Sequence, residues 1–284
     1  MTILQSYESD GWANELGMKI VSLDTKQCRM FLPFISRNLQ ADGGVVHGGI
    51  IGSLLHDSGL LVASQILGAS APEYVRCLDF QVNYLKAAKD CDLTCRASVL
   101  KFGRKFAFIE SEALNPEKEC VALSRMLFSL SDQSAGPKSL QSYLGKEKLD
   151  APVSSDHPMV SMMNESMSQR RPGISIEGSE GGLCRINVEN VPENKSFHGE
   201  LAVGTQIFAA DSAGVFSSFA SGEMLTRAAT VDLKLSFCSA LKNEGMTVLG
   251  ESLVLNDGLM HHQLSIFGKQ TKQLKAFGTM TLAV

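Results

Sequence analysis

The chain has 284 residues, 44% of them hydrophobic, and a formal net charge of −4, which leaves room for two cores of about 130 residues each. A mildly acidic chain carries no basic footprint for nucleic acid. Its seven cysteines, odd in number and scattered through apolar stretches, fit buried reduced thiols in a cytoplasmic protein better than a disulfide framework. Cys91 and Cys95 have no second Cys or His pair nearby for zinc, so no metal is expected, and nothing implies a cofactor. The N-terminus, Met1-Thr2-Ile3-Leu4-Gln5, lacks the basic start and apolar core of a signal peptide.

In chain order, the pattern predicts a short N-terminal helix or turn and strands near 16–24 and 27–34. A long helix follows His47-Gly48-Gly49. Its apolar run, 50–67, is interrupted by Gly52, His56, Asp57 and Gly59, which makes poor membrane-spanning material. Strands are expected at 75–86, 91–101, 104–114 and 119–130. Residues 132–157 turn to Ser, Gln, Lys, Gly, Pro and Asp and read as a surface linker, with a helical turn or two around 138–148. The same series then recurs, with strands near 173–178, 182–188, 226–238, 246–255, 259–268 and 273–283.

That recurrence is an internal repeat. Leu78-Asp79-Phe80-Gln81-Val82-Asn83-Tyr84-Leu85 aligns with Val231-Asp232-Leu233-Lys234-Leu235-Ser236-Phe237-Cys238 at an offset of 153 residues. The helices align at 155, pairing Gly49 with Gly204, His56 with Asp211 and Gly59 with Gly214. The expected organisation is a first repeat over 1–131, a linker over 132–157 and a second repeat over 158–284. A sheet wrapped around each helix would explain why that helix is apolar on nearly all sides.

The glycine pair after His47 bears on chemistry. A helix that begins there leaves its first N–H groups unpaired, and the helix dipole adds positive charge at the same end, a setting for an anion or a developing oxyanion. The His47-Gly48-Gly49 step, an acidic position along the helix and the hydrophobic-Asp-hydrophobic strand at Leu78-Asp79-Phe80 together resemble the hotdog-fold acyl-CoA thioesterases of the phenylacetate-pathway type, within the 4-hydroxybenzoyl-CoA thioesterase superfamily. The resemblance covers most of residues 10–131 and implies an α+β fold, here as a tandem double hotdog.

The resemblance also implies a site shared between two subunits, a glycine N–H from one and a helix carboxylate from the other. The two repeats divide these features. The first keeps His47, Gly48 and Gly49 but has His56 at the acid position, with Asp57 one residue later. The second has Ala202, Val203 and Gly204 where the glycine motif stood, yet carries Asp211 as the acid. Thr230 precedes Val231-Asp232 where the first repeat has Cys77. The family pattern therefore implies one composite site. In it Gly48, helped by Gly49, would polarise the acyl oxygen, and Asp211 would act as general base or nucleophile. Thr230 would position water, while His47 would orient the loop or contact the acyl group. The set of His56, Asp57 and Gly204 would be a degenerate second site. The asparagine that the family often places six residues before the histidine is replaced by Ala41, with Asp42 beside it.

Plainer readings accompany each of these residues. Gly48 and Gly49 also suit close packing, and Asp211 suits a buried hydrogen-bonding role. His56 and Asp57 suit a structural pair, and Thr230 is an ordinary strand residue. His198 in Phe197-His198-Gly199 imitates the first motif but stands thirteen residues before Asp211, which favours a loop role. His261 and His262 should point to opposite faces of a strand. Lys101, Arg104 and Lys105 flank a turn and are candidates for CoA phosphates, or a solvated hairpin tip. The leading function is hydrolysis of an acyl-CoA thioester. The alternatives are a hotdog that binds acyl-CoA or another small ligand without turnover, and a hydratase or dehydratase on the same fold, whose usual Phe/Pro-rich loop is absent. The expected partners are acyl-CoA and a second copy of the chain, a homodimer of double hotdogs, with no nucleic acid and no membrane.

Overall fold

The computed structural model describes residues 3–40, 44–68, 75–130, 146–156, 158–222 and 228–284. Ala41 and Asp42, most of the linker and the first residues of the strand expected at 226–238 lie outside the described residues. By contacts the chain divides into two compact units, Met1–Ser134 with Pro192–Phe208, and Ala135–Val191 with Ala209–Val284. This division departs from a cut at the linker, because 192–208 packs with the first repeat.

The first unit opens with two short helices, α1 (Ile3–Tyr7) and α2 (Gly11–Leu16). Asp10 caps α2 by accepting from the Ala13 N–H, and Gly17 at φ 69° closes it in the left-handed region. Strands β1 (Lys19–Leu23) and β2 (Gln27–Leu32) precede the long helix α3 (Gly48–Leu67). After it come β3 (Arg76–Tyr84), β4 (Leu93–Phe102), β5 (Phe106–Leu114) and β6 (Cys120–Ser129). The six strands form an antiparallel sheet in the order β1-β2-β4-β5-β6-β3.

Every residue of α3 from Gly49 to Ser64 is buried, and the helix touches all six strands. Of the described helices it alone is long and apolar enough to cross a membrane, and 83% of its apolar window is buried inside the protein. Burial of this kind is worth about 1.5–3 kcal/mol for each large apolar side chain, so Ile50, Leu54, Leu55 and Leu61, all nearly fully buried, anchor the first core.

The second repeat follows the same plan with α4 (Pro158–Arg170), β7 (Ile174–Glu180), β8 (Leu183–Val188), α5 (Val203–Phe219), β9 (Ala229–Phe237), β10 (Met246–Asn256), β11 (Leu259–Gly268) and β12 (Leu274–Ala283). Its sheet order, β7-β8-β10-β11-β12-β9, is that of the first. The short helix or turn expected at the start of this repeat is thirteen residues long. The expected helical turn in the linker is confined, among the described residues, to a 3-10 turn at Lys146–Lys148.

Equivalence extends to packing. A Cβ on Gly59 would strike Met126, and one on Gly214 would strike Met280, so both aligned glycines let a helix approach a methionine of the last strand. Both sheets also bulge at the residue before the aspartate, at Leu78 and at Val231, where the register shifts between Cys77 and Asp79 and between Thr230 and Asp232. Bulges of this kind re-aim side chains beside functional sites. All seven cysteines are free, and burial pushes the Cys95 and Cys184 thiols up to about 12.

Candidate active site

The start of α3 is fixed by His47. Its backbone is extended, and its Nδ1 accepts a hydrogen bond of 3.0 Å from the Gly49 N–H. An accepting Nδ1 places the proton of the neutral imidazole on Nε2. The His47 carbonyl accepts from the N–H groups of Ile50 and Ile51 at 3.0 and 3.1 Å. The Gly48 N–H has no acceptor among the described residues, and Gly48 is partly exposed where Gly49 is buried. The Gly49 N–H is thus engaged by the His47 ring. Tyr84 donates to the Gly48 carbonyl at 2.8 Å, and the Phe208 ring lies 4.7 Å from the His47 ring. Both hold the turn in place.

In the second unit, Asp211 is 2% exposed on α5, and Thr230 donates its hydroxyl to Asp211 Oδ1 at 2.8 Å. The bulge at Val231 lets the strand present Thr230 to the helix. A buried carboxylate with a hydroxyl partner is held in one orientation, as a general base or nucleophile must be.

His56, Asp57 and Gly204 form a different arrangement. His56 Nδ1 lies 2.9 Å from Asp57 Oδ1, and Tyr7 donates to Asp57 Oδ2 at 2.9 Å. All three side chains are buried, and the His56 ring sits against Phe80 and Phe128. Both oxygens of Asp57 therefore have protein partners. Burial first, and the Asp57 charge second, hold the Tyr7 hydroxyl well above its ordinary pKa, so it stays a donor. Gly204 is closed as well. A Cβ there would meet Trp12 Nε1 at 2.6 Å and Ser53 Oγ at 2.9 Å, and Ser53 donates to the Gly204 carbonyl at 3.0 Å. Trp12, 1% exposed, also donates to Ser53 Oγ at 3.2 Å and packs on Phe208. The short N-terminal helices thus fill this second set with Tyr7 and Trp12.

Asp10 completes that cluster. It is buried, accepts from the Ala13 and Phe197 N–H groups at 2.8 and 3.1 Å, and feels the Asp57 charge; burial and that charge raise its carboxyl. Sequence reasoning missed Tyr7, Asp10 and Trp12. Asp10 as a helix cap was legible from its residue type, whereas the burial of these residues against 192–208 has no local signature.

The remaining candidates fall elsewhere. Lys101, Arg104 and Lys105 are exposed around the β4–β5 turn. The equivalent tip in the second unit carries Asp257 and Gly258 at positive φ, a two-residue hairpin turn. His261 is exposed and His262 buried, on opposite faces of β11, and His262 Nε2 lies 2.6 Å from Ser218 Oγ. His198 sits in the loop after Phe197, its N–H donated to Ser196 Oγ.

Two six-stranded antiparallel sheets of like order, each with its buried helix, make this chain a double hotdog. Solved structures agree over its whole length. A tesB protein of Mycobacterium avium subspecies paratuberculosis superposes with a TM-score of 0.67 at 13% identity, covering 96% of this chain and 98% of its own. The acyl-CoA thioesterase II TesB2 of Mycobacterium marinum does so at 0.61 and 14%, covering 95% and 96%. A protein with hot dog fold from Alicyclobacillus acidocaldarius gives 0.64 and 12%, covering 98% and 97%. At these identities the likeness is one of fold. In sequence, residues 43–122 match the Thioesterase superfamily. An inferred esterase of Halobacterium salinarum is 29% identical over 117 residues, 40% of this chain and 77% of that protein. Together these likenesses support a hydrolase acting on thioesters.

Proposed function

We propose that the chain hydrolyses an acyl-CoA thioester at one composite site, to which the first repeat brings the start of α3 and the second brings Asp211 with Thr230. The observation that carries this reading is the complementary state of the two helices. The Gly48 N–H is unpaired at the end of α3, while Asp211 is held ready by Thr230. The reciprocal set is closed by Tyr7 and Trp12.

In the proposed reaction the Gly48 N–H, reinforced by the positive end of α3, takes up the charge that develops on the thioester oxygen. A single such donor lowers a barrier by about 3–4 kcal/mol. Asp211 removes a proton from the attacking water, whose addition to the carbonyl carbon is followed by C–S cleavage and departure of CoA thiolate, or attacks that carbon itself, expelling CoA thiolate to give an anhydride that water then opens. Thr230 fixes which carboxylate oxygen is presented. His47 acts through Gly49, whose N–H it caps, and so positions the Gly48 peptide. The CoA substrate class accords with the named activity of the Mycobacterium marinum neighbour. Lys101, Arg104 and Lys105 are proposed contacts for its phosphates.

CoA release measured over short, medium, long and aromatic acyl-CoAs, with the protein's own thiols subtracted, tests the reading. Wild type should turn over at least one class, and Asp211→Ala, folded by circular dichroism, should lose that turnover. A fully active Asp211→Ala would overturn the composite site, and a folded wild type inert on every class would overturn the enzyme.

A further inference from the structure

Part of the outer face of the second sheet is covered by the chain itself. Residues 146–156 run across it with Leu149 buried against Leu249, Phe267 and Leu274. Arg185, 6% exposed, donates to the carbonyls of Lys148 and Ala151 at 3.0 and 2.6 Å while pairing with Glu177 at 2.7 Å. Lys148 pairs with Glu251, and the Ser179 N–H donates to the Ser154 carbonyl at 3.0 Å. An arginine reading main-chain carbonyls beside one apolar anchor is a peptide-binding arrangement, here satisfied internally.

The first sheet has the same place. Strand registers make Arg29 the counterpart of Arg185, since Arg29 lies opposite Arg96 as Arg185 lies opposite Leu249. Leu114 and Cys120 likewise correspond to Phe267 and Leu274. Over these residues runs a groove of about 500 Å³, also lined by Val21 and Lys118. Arg29 and Lys118 are exposed, and their side chains have no hydrogen-bond or ion-pair partner among the described residues. Arg96, where the second repeat has Leu249, pairs with Glu112 at 2.5 Å.

We propose that this groove on the first repeat binds an extended acidic peptide segment of a partner protein. One apolar side chain of that segment sits on Leu114 and Cys120, its carbonyls meet Arg29, and a carboxylate meets Lys118. The peptide backbone follows from the equivalent groove, where the equivalent arginine holds carbonyls. The acidic character follows from the two unpaired cations, Arg29 and Lys118, which remain once the Arg96–Glu112 pair in the lining is counted as neutral. The occupant is shorter than the segment on the second repeat. Gly178 admits that segment so closely that a Cβ there would meet the Ser154 carbonyl at 2.7 Å, and Ser22 stands at the equivalent position here.

Fluorescence anisotropy of a labelled Glu-Glu-Glu-Leu-Asp-Ala peptide against the full chain tests this. Saturable binding is expected, weakened about tenfold or more by Arg29→Glu, by serine in place of the peptide's leucine, and by raised salt. Arg29 is exposed, so its substitution leaves the fold intact, which circular dichroism checks. Asp211→Asn should leave binding unchanged, which separates this test from the fate of the thioesterase reading. Absence of saturation up to millimolar protein would overturn the proposal. So would binding indifferent to Arg29→Glu, or equal competition by leucine-free oligoglutamate, the mark of a mere anion site.

Discussion

The acid positions of the two repeats are equivalent in sequence and opposite in condition. In the second repeat a strand hydroxyl holds the carboxylate: Thr230 donates to Asp211 at 2.8 Å. In the first, the matching strand residue is Cys77, whose thiol turns to the Asp79 carbonyl of its own strand, and the helix position is His56. Asp57, one residue on, is then tied by His56 on one oxygen and Tyr7 on the other. A carboxylate with both oxygens engaged by buried side chains is a structural part. Asp211, held by a strand hydroxyl, is the one proposed as the reagent. On the proposed reading each half has lost what the other retains, and in the first half the acid position is buried among Tyr7, His56 and Asp57.

The comparison breaks most sharply on the acids. Asp211→Asn keeps shape and the Thr230 contact but removes the base, so turnover should fall by about 10²–10⁴. Asp57→Asn should leave turnover within about twofold of wild type and instead lower stability, because Tyr7 and His56 lose a buried charged partner. Equal losses of turnover in both variants would end the distinction. Next in size, Thr230→Val removes the hydroxyl while keeping the volume. An oriented charged acceptor loses about 1.5–3 kcal/mol of hydrogen bonding, so kcat should drop roughly ten- to hundredfold, with KM little changed. A shift confined to KM would assign Thr230 to substrate binding.

Gly204→Ala probes the closed set. Its new Cβ meets Trp12 and Ser53 below 3 Å, and overpacking of that kind costs about 1–3 kcal/mol. Chemical denaturation should show that loss with turnover preserved. A stable variant would mean that Trp12 yields readily and does not seal this helix end.

Much of this was legible in the sequence because it rests on local rules. The repeat offset, the helix starting at Gly48, the strand series and the division of motif between Gly48 and Asp211 follow from spacing and period. The aligned pair Gly59 and Gly214 likewise proves to have one packing reason in both halves. What was illegible is what arrives from afar. Tyr7 reaches Asp57 across fifty positions, and Asp10 reaches the Phe197 N–H across 187. No periodicity encodes a pairing of that range. The partner of the Gly49 N–H was illegible for a different reason. A histidine before a helix can cap it or face the substrate, and only the side-chain rotamer, with Nδ1 at 3.0 Å, decides.

In the response to pH the repeats should oppose each other. In the first, burial and the Asp57 charge raise the Asp10 carboxyl from 3.8 to about 8, outweighing the Ala13 and Phe197 N–H groups that favour the anion. The folded state then holds a proton that the unfolded chain releases. This contribution is fully present below about pH 4 and is lost as pH rises toward 8. In the second, burial lowers His262 from 6.5 to about 4 beside Ser218. That contribution is present above 6.5 and lost as pH falls toward 4. Each limb has a slope of at most about 1.4 kcal/mol per pH unit. Thermal unfolding across this range should show the alkaline limb flattened by Asp10→Asn. The acid limb should flatten in the His262→Ile, Ser218→Ala double variant, which installs the first repeat's own residues, Ile109 and Ala63. Since these groups lie in different units, each limb should appear in its own unfolding transition, and both limbs in a single transition would show that the repeats unfold as one cooperative body.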